Sequence, residues 1–164
     1  MPRRGATDSA EAVAAARPSA RRLALALQLE DGGDRTVLAS ARVRRWLRAA
    51  LERPAAITLR VVGEAEGLEL NRRWRGLDHA TNVLTFDYAR EPVVEADLVL
   101  CAPVVRREAR AAGKDLEAHY AHLVVHGALH AQGWDHLDDA QAEAMEAKER
   151  AVLAALGYPD PYAR

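Results

Sequence analysis

The chain has a single cysteine, Cys101, among its 164 residues. That excludes an intramolecular disulfide and removes any reason to invoke an oxidising compartment; a small buried hydrophobe is the expected role of this side chain. No uninterrupted apolar run approaches the ~20 residues that a bilayer-spanning helix requires, so a membrane protein is not expected. Charge of one sign is missing as well. With 23 basic against 24 acidic side chains the formal charge is −1, and bulk electrostatics do not advertise a nucleic-acid binder. Any RNA contact has to come from a local basic surface. Met1 to about Arg21 has no sustained apolar face and no secretory signal, and Asp8 and Glu11 are atypical of a transit peptide. Residues 1–21 are therefore expected to be a disordered extension or to reflect a misassigned start site, and the protein is expected to be cytoplasmic.

What is present suits a single α/β (α+β) domain over residues 22–160, because the chain has neither an internal repeat nor a linker long enough to divide it. Leu23 to Glu30 alternates leucine with smaller or polar residues, the period of a strand. Val43, Trp46, Leu47 and Leu51 recur at helical spacing within Thr36 to Arg53, and Pro54 closes that helix. Ile57 to Val62 reads as a second strand and Glu64 to Trp74 as a helix ending near Gly76. Asn82 to Tyr88 and Asp97 to Cys101 read as two more strands. Pro103 suits the first turn of a helix that stops at Gly113. Asp115 and Asp138 are candidate caps for two further helices, the last reaching Leu156. The order predicts a mixed sheet of about four strands packed with about five helices. Leu123, Val124, Val125 and Leu129 make the penultimate helix apolar on more than one side, as a buried central helix should be.

That same helix carries His126 and His130, four apart and so on one face. Gly133 tolerates the left-handed conformation that ends a helix, and it would let His136 approach from the side. Three neutral imidazoles around a tetrahedral ion leave one coordination position open, which distinguishes catalytic zinc sites from closed structural ones. Nickel and cobalt would suit the same ligands. Asp135 and Asp138 are candidates for orienting an imidazole, although helix capping explains Asp138 better. His119 and His122, on the same helix, read as ordinary core histidines.

The spacing is shared with the metzincin peptidases, H-E-x-x-H-x-x-G-x-x-H, whose glutamate is the general base. Here that position is Gly127, which cannot move a proton, and Met145 lies in a helical context rather than a Met-turn. Peptide hydrolysis is the weaker reading. Two basic clusters stand out. Arg42, Arg44, Arg45 and Arg48 read as a solvated helix face, whereas Arg72, Arg73 and Arg75 adjoin a longer motif.

That motif, together with the histidines, resembles the YbeY family of bacterial rRNA maturation factors, metalloproteins described as endoribonucleases. His126 to His136 matches the family's H-G-x-L-H-x-x-G-Y-D-H signature, with Trp134 in place of tyrosine. Leu70 to Phe86 is similar to the block L-N-x-x-Y-R-x-K-D-x-P-T-N-V-L-S-F, and Asp97 to Cys101 to the strand G-D-[IL]-V-I-[CS]. The likeness covers most of Ile57 to Tyr162. Leu77 and Ala80 depart from the usual lysine and proline, Asp87 replaces a proline that often follows the phenylalanine, and the Phe86 to Asp97 connection is short.

The resemblance implies that His126, His130 and His136 bind one zinc ion and that Arg75 is the functionally important arginine of a groove leading to it. Arg72 and Arg73, from the basic cluster, and Asn82 are further candidate substrate contacts, with His126 and Arg75 the candidate catalytic residues. A guanidinium grips phosphate oxygens through two parallel hydrogen bonds, which suits a phosphodiester; the competing expectation for Arg75 is an ion pair with Asp78. The implied activity is metal-dependent endonucleolytic cleavage of single-stranded RNA in 16S rRNA 3′ end maturation, small-subunit biogenesis and ribosome quality control. Ribosomal RNA and the small ribosomal subunit are the implied partners, with a ribosomal protein and an assembly GTPase as further candidates. The signature contains no obvious general base, which leaves Asp78, Asp135 or a substrate 2′-hydroxyl. The alternative from a different class is a zinc-stabilised assembly factor that does not cut.

Overall fold

The structure is a computed structural model describing residues 22–30 and 32–163; the extension expected over residues 1–21 lies outside the described residues. Four strands form one mixed sheet: β1 (Leu23–Leu29), β2 (Ala55–Val62), β3 (Val83–Ala89) and β4 (Val94–Cys101). Their order is β1-β2-β4-β3, with β1–β2 and β2–β4 parallel and β3–β4 antiparallel. Five α-helices accompany them among the described residues: α1 (Ser40–Ala50), α2 (Glu64–Arg75), α3 (Ala102–Ala112), α4 (Leu116–Ala131) and α5 (Asp139–Leu156).

Alternation along β1 sends Leu23, Leu25, Leu27 and Leu29 against the main core while Ala24, Ala26 and Gln28 stay exposed. Central β2 and β4 bury Ile57, Leu59, Leu98 and Leu100 completely or nearly so, each such side chain contributing about 1.5–3 kcal/mol. That core lies between one sheet face and α1, α4 and α5. Beneath α2, on the other face, a smaller cluster joins Val62, Leu84 and Val99 to Leu70 and Phe86. Helix α4 is apolar nearly all round and sits at the centre, as its composition predicts. Asp115 Oδ2 accepts from the amide of Ala118, and Asp138 Oδ1 from that of Gln141, so both expected caps form.

Two expectations change. Helix α1 begins at Ser40 rather than Thr36, because the preceding segment is held elsewhere: Asp34, at the end of a 3-10 turn, accepts from Tyr120 Oη at 2.5 Å and Arg106 Nε at 3.0 Å. Strand β4 starts at Val94, ahead of Asp97, since Val94 to Ala96 continue the parallel ladder opposite Ala55 to Ile57. The face carrying Arg42, Arg44, Arg45 and Arg48 is half-exposed or exposed, as expected of a solvated face, yet three of its arginines are tied to backbone carbonyls. Arg42 donates to the carbonyls of Thr36 and Val37, Arg44 to that of Leu23, and Arg45 to that of Leu156 at 2.6 Å.

Candidate metal centre

The turn after α4 brings the third histidine back to the first two. Gly133 adopts φ +104°, a region L side chains rarely enter, while its amide and that of Trp134 return to the carbonyls of His130 and Leu129. Ring centroids are then 4.7 Å apart for His126–His130, 4.9 Å for His130–His136 and 5.6 Å for His126–His136. One ring nitrogen from each lies within 4.8 Å of the others, so the group could hold a metal ion. The donor set fits a divalent cation such as zinc, which takes three imidazoles and keeps an open position. Burial, reinforced by the neighbouring His126 and His136, pushes His130 below its ordinary value, favouring the neutral form that coordination needs.

The carboxylate engaging His126 is Glu149 of α5, not Asp135 or Asp138. Glu149 is 1% exposed. Its Oε1 lies 2.9 Å from His126 Nδ1, and its Oε2 lies 2.6 Å from His122 Nε2 and accepts from Tyr162 Oη at 2.7 Å. Burial alone would raise this carboxyl; the contacts from His122, His126 and Tyr162 outweigh it and bring it to about 2. Asp135 instead accepts from the backbone amide of His136 at 2.8 Å, with its carboxylate 4.0 Å from that residue's Nδ1, and Asp138 caps α5. A sequence signal for Glu149 exists. It falls on the apolar stripe of α5 with Met145, Val152, Leu153 and Leu156, where a lone carboxylate is out of place. His119 and His122 stay outside the triplet, His119 pairing with Glu108 at 3.0 Å.

A cavity of about 540 Å³ opens above the triplet, lined by His126, His130, His136, Arg75, Asn82, Thr85, Asp87, Arg90 and Asp135 among others. The side chain of Arg75, the last residue of α2, makes no hydrogen bond or ion pair among the described residues. Its supposed partner Asp78 is taken by Arg72, which donates from Nε at 2.9 Å and from a second guanidinium nitrogen. Neither Arg72 nor Arg73 lines the cavity. Asn82 does, but its amide is committed: Nδ2 donates to Glu108 at 3.0 Å and Oδ1 accepts from the amide of Val83 at 2.6 Å. Arg90, which sequence reasoning passed over, donates to Asp87 at 3.0 Å and lies against Gly133. Its place in the cavity follows from the β3–β4 connection, and no local pattern announces it.

Position 127 is filled by geometry rather than left blank. A Cβ there would meet Leu98 Cδ2 at 3.1 Å and Thr85 Oγ1 at 3.4 Å, so α4 approaches the sheet too closely for a glutamate.

A family model described as Endoribonuclease YbeY matches residues 33–157. The chain is 63% identical over 147 residues to endoribonuclease YbeY of Methylibium petroleiphilum, covering 90% of this chain and 99% of that protein. It is 55% identical over 146 residues to that of Verminephrobacter eiseniae, covering 85% and 95%. Among solved structures, the solution structure of TM1509 from Thermotoga maritima aligns with a TM-score of 0.54 at 24% identity, over 85% of this chain and 99% of that one, a likeness of fold.

Proposed function

The chain belongs to the YbeY endoribonuclease family, and from that premise we propose that it cuts single-stranded RNA at the three-histidine centre. The observation carrying this reading is the shared cavity, in which Arg75 and Arg90 stand beside the imidazoles of His126, His130 and His136. The three imidazoles would hold one zinc ion. When bound, zinc supplies Lewis acidity toward a phosphodiester oxygen.

The protein's own groups do the rest. Arg75, free of any acidic partner among the described residues, grips the phosphate and stabilises charge that develops on it. Arg90, steadied by Asp87, offers a second cation across the same cavity. Whichever nucleophile attacks, a water or the substrate's 2′-hydroxyl, its new bond to phosphorus replaces the phosphorus–oxygen bond to the departing ribose; the nucleophile must lose a proton, and the departing oxygen takes one from solvent. Of the cavity's two aspartates, Asp87 is tied to Arg90, so Asp135 is the acceptor we assign. Asp78 is occupied by Arg72 and does not line the cavity. The substrate is precursor 16S rRNA near its 3′ end, met on the small ribosomal subunit in the cytoplasm, with a ribosomal protein and an assembly GTPase as partners. No observation favours peptide hydrolysis: position 127 is a glycine, and a Cβ there would already stand 3.1 Å from Leu98 Cδ2.

The test is cleavage of an end-labelled precursor fragment by purified protein of measured metal content. His126→Ala should abolish cutting, and Arg75→Ala, still folded and metal-loaded, should slow it about 10²–10³-fold. Equal cutting by His126→Ala and the parent would indicate a contaminating ribonuclease and sink the reading. Undiminished cutting by Arg75→Ala would remove the arginine from it.

A further inference from the structure

We propose that Glu149 is a positioning residue of the metal centre, and that the C-terminal segment, through Tyr162, sets how tightly the centre holds its ion. The inference rests on the three-histidine reading above and concerns what stands behind those ligands.

Burying an ionised carboxylate costs several kcal/mol unless it is well paired. The partners Glu149 finds are specific: two imidazoles of α4 and one phenol from beyond α5. An ionised carboxylate can only accept, so the 2.9 Å contact with His126 requires the hydrogen on Nδ1. That fixes the tautomer and leaves Nε2 as the bare nitrogen. A carboxylate behind a ligating imidazole also makes it more basic and holds the ring plane.

The second oxygen is what keeps Glu149 in place. Tyr162 Oη donates to it at 2.7 Å, and His122 Nε2 lies 2.6 Å away. Tyr162 is itself held, its ring edge-on to His122 at 5.3 Å between centroids and the Arg150 guanidinium 5.2 Å from its centre. The tail, α5 and α4 thus converge on one carboxylate, and that carboxylate meets one ligand. A purely structural role would need the cluster to support the fold without influencing the metal.

The two roles separate by measuring metal affinity and the stability of metal-free protein in parallel. Zn²⁺ affinity is read by competition with a chromophoric chelator, and Co²⁺ is used as a visible-band probe, for the parent, Glu149→Gln and Tyr162→Phe. Glu149→Gln should weaken Zn²⁺ binding about 10–100-fold and shift the Co²⁺ band. Tyr162→Phe, which leaves both imidazole contacts, should weaken binding a few-fold; because Tyr162 is partly exposed, this variant carries the test if Glu149→Gln does not fold. Unchanged affinity and an unchanged Co²⁺ band in the variants, with only the metal-free melting temperature lowered, would overturn the proposal. A parent that takes up neither ion would instead overturn the metal reading beneath it.

Discussion

Replacing Gly127 by alanine tests the close approach that shapes the centre. The new Cβ would lie 3.1 Å from Leu98 Cδ2 and 3.4 Å from both Leu98 Cδ1 and Thr85 Oγ1, where carbon atoms normally sit about 3.5–4.0 Å apart. Something must give by about 0.4 Å. Leu98 is fully buried and lies on β4, paired with Leu59 on one side and Thr85 on the other, so it has little room to move. Overpacking of this kind costs about 1–3 kcal/mol. Alanine recovers about 0.5–1 kcal/mol of helix propensity over glycine. The net expectation is a loss of about 1 kcal/mol, or a fall of about 2–4 °C in melting temperature for a chain of this size. The assay is thermal unfolding with metal removed by chelator, so that packing is read without ligation. Gly127→Glu, which must bury a carboxylate in the same gap, should not yield folded protein. If Gly127→Ala melts at or above the parent, the gap has slack and the steric account of the missing glutamate is wrong.

Arg90→Ala should weaken RNA binding and reduce the slope of log K against log salt by about 0.7, one phosphate contact on a single strand, with Zn²⁺ affinity unchanged; an unaltered slope would take Arg90 out of the cavity's phosphate chemistry. Asp34→Ala removes the acceptor shared by Tyr120 and Arg106 and should cost about 2 kcal/mol in urea unfolding, whereas a value near zero would show that the 3-10 turn does not anchor α1. Burial holds His119 below its ordinary value despite the contact with Glu108. Below about pH 6.5 the unfolded chain therefore takes up a proton that the fold resists, so the stability due to His119 is complete above that pH and declines as pH falls towards the folded-state value. His119→Gln should flatten this acid limb below about pH 6.5, and an unchanged limb would assign it to other groups.

The elements were legible where periodicity and punctuation agree: alternating leucines in β1, Pro103 opening α3, and Asp115 and Asp138 capping α4 and α5. So was the histidine triplet, because its three candidate ligands lie close together in sequence and gather through one helix and one glycine turn. What escaped depends on contacts distant in sequence. Asp34 belongs to Tyr120, Arg45 to the end of α5, and Glu149 to His126, and none of these pairings leaves a local trace. Arg72 and Arg75 look equivalent in the sequence. Only the fold gives Asp78 to the first and leaves the second facing the cavity.

Helix α4 serves at once as the middle of the core and as the bearer of two candidate ligands, whereas Arg90 hangs on a connection between two strands at the sheet's edge. Tolerance to change should divide along that line. Substitutions in α4 register twice, once in folding and once in ion retention, and leave a diverging lineage few single steps to take. Glu91 and Pro92, exposed at the tip of that strand connection and carrying no candidate ligand, can change with less cost to the core, so drift in RNA preference would accumulate there first, and a designer wanting altered cutting specificity should begin at that tip.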